Sequence, residues 1–208
     1  MSDPVTTATL SIVHCFWGLD KKLAMRKHFP SLNWNSSYSN CRDALESHYM
    51  LQDSQFLRTV AKCREILHAE NELSEVVQLV GRGSLAELDK LKLDLARIVR
   101  EDFLQQNGIS DYDAFQKTAL MLKSIIFVFE KSEKLISATE SAANSYAAYP
   151  KSEKVITWTI LKDSLEKRGV FRMLSSLKFI MNSDVSLKIP SIHSNIERIF
   201  FDLQNATY

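Results

Sequence analysis

Apolar residues recur every three to four positions through most of this chain, and the exception lies near its start. Residues 10–16, LSIVHCF, are a nearly continuous β-branched and aromatic run between Pro4 and Gly18, and they predict a single strand. Asp20 then predicts the cap of a short helix ending at His28, with Lys21, Lys22, Arg26 and Lys27 outward and Leu23 and Met25 apolar; Pro30 stops it. Residues 33–40 are rich in Asn and Ser, carry Trp34 and Tyr38, and read as an ordered loop.

Beyond residue 41 the helical period governs. Residues 42–50 predict a short helix. Val60, Cys63, Leu67, Leu73, Val76, Val77 and Val80 then mark the apolar stripe of a long one. It stops at Gly81-Arg82-Gly83, where glycine can take the left-handed turn of a helix end. Ser84 and Glu87 have the spacing of a capping box, and Leu88, Leu91, Leu95, Ile98, Val99 and Leu104 follow on one face as far as Gln106. The two helices form a helix–turn–helix closed by Asn107-Gly108.

A second cap, Ser110 with Asp113, predicts a helix to about residue 137 containing Leu120, Leu122, Ile125, Ile126 and Phe129. Residues 138–152 are small and polar and read as a connection. Thr157 starts another helix with Trp158, Leu161 and Leu165, continued past Gly169 by Phe171, Leu174 and Leu177. A loop over 182–190 leads to a last amphipathic helix with Ile192, Ile196, Ile199, Phe200 and Leu203. The predicted fold is mainly α: a helical bundle over residues 33–208, preceded over residues 1–32 by one short orphan β-strand and a small helix. A lone strand leaves its backbone groups without ladder partners, so this one reads as built for a sheet belonging to something else.

Composition narrows the chemistry. Five Gly and four Pro in 208 residues agree with long regular elements, and 26 basic against 25 acidic residues give a net charge of +1. No block of like charge suggests a nucleic-acid footprint. The start, MSDPVTTATL, is polar and carries no secretory pattern, and the longest apolar run, IIFVF at 125–129, is too short to insert in a membrane. Cys15, Cys41 and Cys63 have no CxxC spacing and read as reduced cytosolic thiols; the five His residues form no His-x-x-x-His pair, so no metal site is expected.

Gly-x-x-x-x-Gly-Lys-[Ser/Thr], the loop that cradles triphosphate, does not occur in these residues. Gly81-Arg82-Gly83-Ser84 follows a helix rather than a strand and has no Lys in place. Glu101-Asp102 occupy adjacent helical positions that diverge around the axis, so they do not form an acid–base pair. No catalytic residue is expected.

SDPVTTATLSIVHCFWGLDKKLAMRKHFPS at residues 2–31 resembles the segment of vacuolar-type proton ATPase catalytic A subunits that leaves the nucleotide-binding domain. VVQLVGRGSLAELDKLKLDLARIVREDFLQQNG at 76–108 is similar to the helix–turn–helix of the same family, and KVITWTI with LSSLKF resembles its final helices. The resemblance implies that residues 1–32 are a remnant of the nucleotide-binding domain and 33–208 the C-terminal helical domain. It implies an adenine position between Phe29-Pro30 and Gln106-Asn107-Gly108-Ile109. It also implies a tip that pushes on the central stalk, formed by Gly81, Arg82, Gly83, Ser84, Leu85, Glu87 and Leu88.

The sequence departs from the family at several points. Ile109 stands where an aromatic is common, the Cys-Pro-aromatic stretch before Lys117-Thr118 is missing, His14-Cys15 replaces Gln-Val, and Asn35-Ser36 replaces an apolar pair. The resulting expectation is a coupling domain that links nucleotide-site closure to the central stalk in ATP-driven proton transport. Alone it is not catalytic, and it binds ATP or ADP with Mg only within the full catalytic polypeptide. The expected partners are B-type and central stalk subunits, with no nucleic acid and no membrane insertion, on the cytosolic face of acidic organelles. The alternative is a non-catalytic regulator that binds the stalk or assembly factors; a third reading is a remnant whose exposed strand invites aggregation.

Overall fold

Asp3 and Pro4 turn the start of the chain into a helix. In the computed structural model, which describes residues 3–106, 114–145 and 156–205 (142–145 by backbone alone), the Asp3 carboxylate accepts from the Val5 and Thr6 amides and Pro4 occupies the first turn of α1 (Pro4–Ile12). Thr7 and Thr9 hydroxyls donate back to the carbonyls of Asp3 and Val5. The strand predicted over 10–16 is therefore only β1 (Cys15–Phe16). Nor is it an orphan: it pairs antiparallel with β2 (Tyr38–Ser39), Cys15 opposite Ser39 and Phe16 opposite Tyr38. The β-branched run was outweighed by a cap at Asp3, upstream of it.

Between these strands the chain folds on itself through α2 (Lys21–Met25), capped by Asp20 as predicted, and a bridge of Leu19 with Leu32. Gly18 packs closely there: a Cβ would stand 2.4 Å from Ser36 Oγ, so that hydroxyl would have to rotate away. Trp34 carries this segment onto the bundle, packing against its core and edge-on to the buried His28. Helix α3 (Arg42–Gln52) follows and buries no side chain.

The bundle begins at α4 (Phe56–Val80), which turns at Gly81 into a 3-10 turn (Arg82–Ser84) and returns as α5 (Glu87–Ile98). The predicted helix–turn–helix is present, but its capping box is not. Ala86 is the cap residue of α5, the Ser84 hydroxyl donates to the Val80 carbonyl, and Glu87 faces another helix. Helix α5 runs on into a π-turn (Val99–Leu104), then α6 (Phe115–Ser145), α7 (Trp158–Lys167), α8 (Val170–Leu177) and α9 (Val185–Asn205).

Leu91, Leu95, Ile125, Phe129, Ile136, Trp158, Leu165, Leu174, Leu177, Ile196 and Phe200 form the centre of one continuous core. Helix α6 is its axis, with α4 and α5 on one side and α9, α7 and α8 around the rest.

Two connections differ from expectation. Residues 138–145 are helical, continuing α6, and 146–152 lie outside the described residues. The loop predicted over 182–190 is mostly α9, which carries Pro190 in its second turn and buries Val185 and Ile189 beside it. The Ser110–Asp113 cap lies outside the described residues.

Candidate functional site

The corner at Phe29-Pro30 and the end of the α5–π run are in direct contact: the Gln106 amide donates to the Phe29 carbonyl at 2.6 Å. Helix α2 presents the corner, and the π-turn delivers Gln106, its ring closed by the Gln105 amide on the Arg100 carbonyl at 3.0 Å. Phe29 is 56% exposed, so a flat apolar face is open to a planar ligand. A cavity of about 480 Å³ is lined by Pro30 and Gln106, with Trp17, His28, Trp34, Phe103 and Lys117 among others, and Phe29 is not part of its wall. Asn107, Gly108 and Ile109 lie outside the described residues.

The cations around this cavity have structural duties. Lys117 is buried, and its ammonium donates to the Lys178 carbonyl at 2.8 Å, at the end of α8. Lys178 in turn donates to the carbonyls of Glu101, at 3.4 Å, and Gln105, at the end of the π-turn. Positive charge at helix C-termini satisfies orphan carbonyls and interacts favourably with the negative end of the dipole. Arg100 pairs with Glu70 of α4. Burial, with the nearby Arg100 and Lys178 charges, lowers the pKa of His28. The corner thus leaves the aromatic ring of Phe29 exposed while its carbonyl is taken by the Gln106 amide, and the described residues around it offer no phosphate cradle.

At the other end of α5, Gly81 holds φ at 79°, a conformation glycine takes without strain. Gly81, Arg82, Gly83 and Ser84 are exposed, beside Leu79 (86% exposed), Val76 and Val80 at the end of α4. Leu85, Glu87 and Leu88 instead face inward, Leu85 buried and Leu88 packed against the core.

Beneath the tip sits a charge network that the sequence did not announce. Asp94, on the buried face of α5, accepts from Arg82 (2.7 Å), the Trp158 indole (2.8 Å) and Lys162 (3.1 Å). Burial alone would raise its pKa; the bonds from Arg82, Trp158 and Lys162 outweigh it and hold the carboxyl below its ordinary value. Glu87 accepts from the Trp158 amide (2.7 Å) and Lys90 (2.7 Å), and its pKa is lowered in the same way, against burial, chiefly by Lys90. Thus α5 caps α7. Of the two charged residues between Leu91 and Leu95, Asp94 stands three positions after Leu91, on the apolar side of the helix, and that spacing was the available signal, since carboxylates are rarely buried unpaired.

Ser124, His193 and Glu197 have the contacts of a nucleophilic triad, with Ser124 Oγ 3.2 Å from His193 Nδ1 and His193 Nε2 3.5 Å from Glu197. Ser124 is nevertheless 1% exposed and donates to the Leu120 carbonyl, so no substrate reaches it; the trio joins α6 to α9. Among the described residues no group of three metal-ligating side chains occurs, and no helix is long and apolar enough to cross a membrane.

Residues 45–146 match the family described as the C-terminal domain of V and A type ATP synthase. The chain is 44% identical over 206 residues to the catalytic A subunit of the V-type proton ATPase of Encephalitozoon cuniculi, covering 97% of this chain and 31% of that protein. It is 48% identical over 181 residues to the protein of the same name from Caenorhabditis elegans, covering 86% and 28%, and 43% identical over 208 residues to isoform 1 from Drosophila melanogaster, covering 99% and 32%. The chain spans about a third of the length of these relatives.

Proposed function

Residues 45–146 belong to the family of C-terminal domains of V and A type ATP synthase, and from that premise we propose that the chain is the coupling portion of the catalytic A subunit of a V-type proton ATPase. Closure of a nucleotide site moves the Phe29 corner, the displacement passes along the π-turn and α5, and the Gly81–Ser84 tip bears on the central stalk. One observation carries this reading: a single helical run begins beneath the exposed tip and ends with Gln106 bonded to the corner.

ATP or ADP with Mg enters this account only within the complete catalytic polypeptide. Phe29, Pro30 and Gln106, with Asn107, Gly108 and Ile109, flank the adenine, and the phosphates and metal are held by residues outside this stretch. The 208 residues by themselves do not hydrolyse ATP. Residues 1–32 complete their packing against a nucleotide-binding domain, a role supported by α1, whose side chains are all unburied. Assembly is with B-type and central stalk subunits on the cytosolic face of an acidic organelle.

Affinity purification of the tagged chain from its own cells tests the proposal. Stoichiometric recovery with B-type and stalk subunits is expected. Recovery with stalk subunits or assembly factors alone would establish the regulator instead, and recovery with none of them would overturn both. The purified chain should give no steady-state ATP turnover above a boiled control.

A further inference from the structure

The α5–π run is gripped at both ends by one neighbouring helical pair. Near the tip, Glu87 accepts the Trp158 amide, while Asp94 accepts the Trp158 indole and Lys162, all on α7. Further along the run, about 12 Å from Asp94 and about 20 Å from Glu87 at 1.5 Å per residue, the grip passes to α8: Ser175 Oγ donates to Asp102 at 2.9 Å, and Lys178 caps the Glu101 and Gln105 carbonyls. Helices α7 and α8 join directly at Gly169, whose φ of 75° makes the turn between them.

We propose that α7–α8 is a tie that couples the position of the hairpin tip to the Gln106–Phe29 contact, with Asp94 and Lys178 as its two positioning residues. This deepens the coupling function above and rests on it for the meaning of tip and corner. The reason is the scarcity of alternative partners. Asp94 is buried and serves three donors on two elements, Arg82 at the tip and Trp158 with Lys162 on α7. If α5 moved with the tip and α7 did not follow, Asp94 and the Trp158 indole would part, leaving a buried carboxylate short of donors and an indole N–H unpaired, which is costly. At the far end, π-turns are uncommon and cluster at functional sites. This one has its last carbonyls satisfied by an ammonium from α8, so displacing α8 releases the segment that places Gln106. Lys117 fixes the α8 end to α6, the axis of the core.

Amide hydrogen exchange on the full chain tests the tie without nucleotide or partner. The readout is the exchange rate at the Gln106 amide relative to that at Ile196 in α9. Asp94→Asn keeps the shape of the side chain and removes its charge. It is expected to raise that ratio about fivefold or more, and Lys178→Met is expected to raise the rate at the Trp158 amide by a similar factor, since coupling between two sites is reciprocal.

If Asp94→Asn accelerates Trp158 and leaves the Gln106 ratio unchanged, each grip is local and the tie is overturned. If Asp94→Asn does not fold, Arg82→Ala, at the half-exposed edge of the network, decides by the same ratio. A negative result leaves the coupling function standing, and failure of co-purification leaves the tie standing.

Discussion

Helices α1 and α3 bury no side chain, and among residues 3–52 only Gly18, Leu23 and His28 are buried, whereas α4 to α9 carry nearly all of the core. The two regions use different means of support. The bundle is held by apolar burial around α6. The N-terminal segment is held by side-chain caps at Asp3 and Asp20, by a two-residue strand pair and by Trp34 resting on the bundle. Helices of nine to eleven residues are marginal without a buried face. Val5, Ile12, Trp17, Leu19, Met25 and Phe29 stay exposed there, which suits a segment that finishes its packing against a neighbour.

The sharpest way to break this contrast is to truncate one leucine in each region. Leu95→Ala, at a fully buried position, should cost about 2–5 kcal/mol in urea unfolding, and Leu51→Ala, at 89% exposure, should fall within about 0.5 kcal/mol of the parent. Equal costs would mean that α3 belongs to the core.

A smaller effect separates the two regions by pH. The lowered pKa values of Glu87 and Asp94 make their contribution to stability complete above their ordinary values of 4.5 and 3.8 and progressively lost as pH falls below them. Unfolding midpoints measured from pH 6 down to about pH 3 should therefore drop, and Asp94→Asn should flatten that slope. An unchanged slope would show that the charge network does not support the tip. Exposed Asp3 also has a lowered pKa, from its bonds to Thr6 and Val5, so loss of helicity confined to α1 is expected in the same range.

The mildest probe leaves stability untouched. Cys15 and Cys41 are exposed, while burial pushes the Cys63 thiol up to about 12. A thiol reagent at neutral pH should label two cysteines at once and the third only on unfolding. Prompt labelling of Cys63 would show that α4 opens away from the core.

The bundle was legible in the sequence because its helices repeat an apolar stripe, as Leu91, Leu95 and Ile98 do, and burial rewards that period directly. The first segment misled because LSIVHCF has strand composition, yet Asp3-Pro4 supplies a helix cap that composition ignores. The capping box misled for the opposite reason. Ser84 and Glu87 have the right spacing, but Glu87 finds a better donor in the Trp158 amide, 71 residues away.

The sequence by itself determined the helical class, the hairpin at Gly81 and the likeness to a proton-pump polypeptide, since periodicity, glycine chemistry and ordered motifs are written along one dimension. Tertiary structure alone decided that the Gln106 amide bonds the Phe29 carbonyl directly, that Asp94 gathers Arg82, Trp158 and Lys162, and that Lys178 closes the π-turn. Most of these contacts join groups far apart in the chain, and a buried polar group takes whichever partner packing brings within reach.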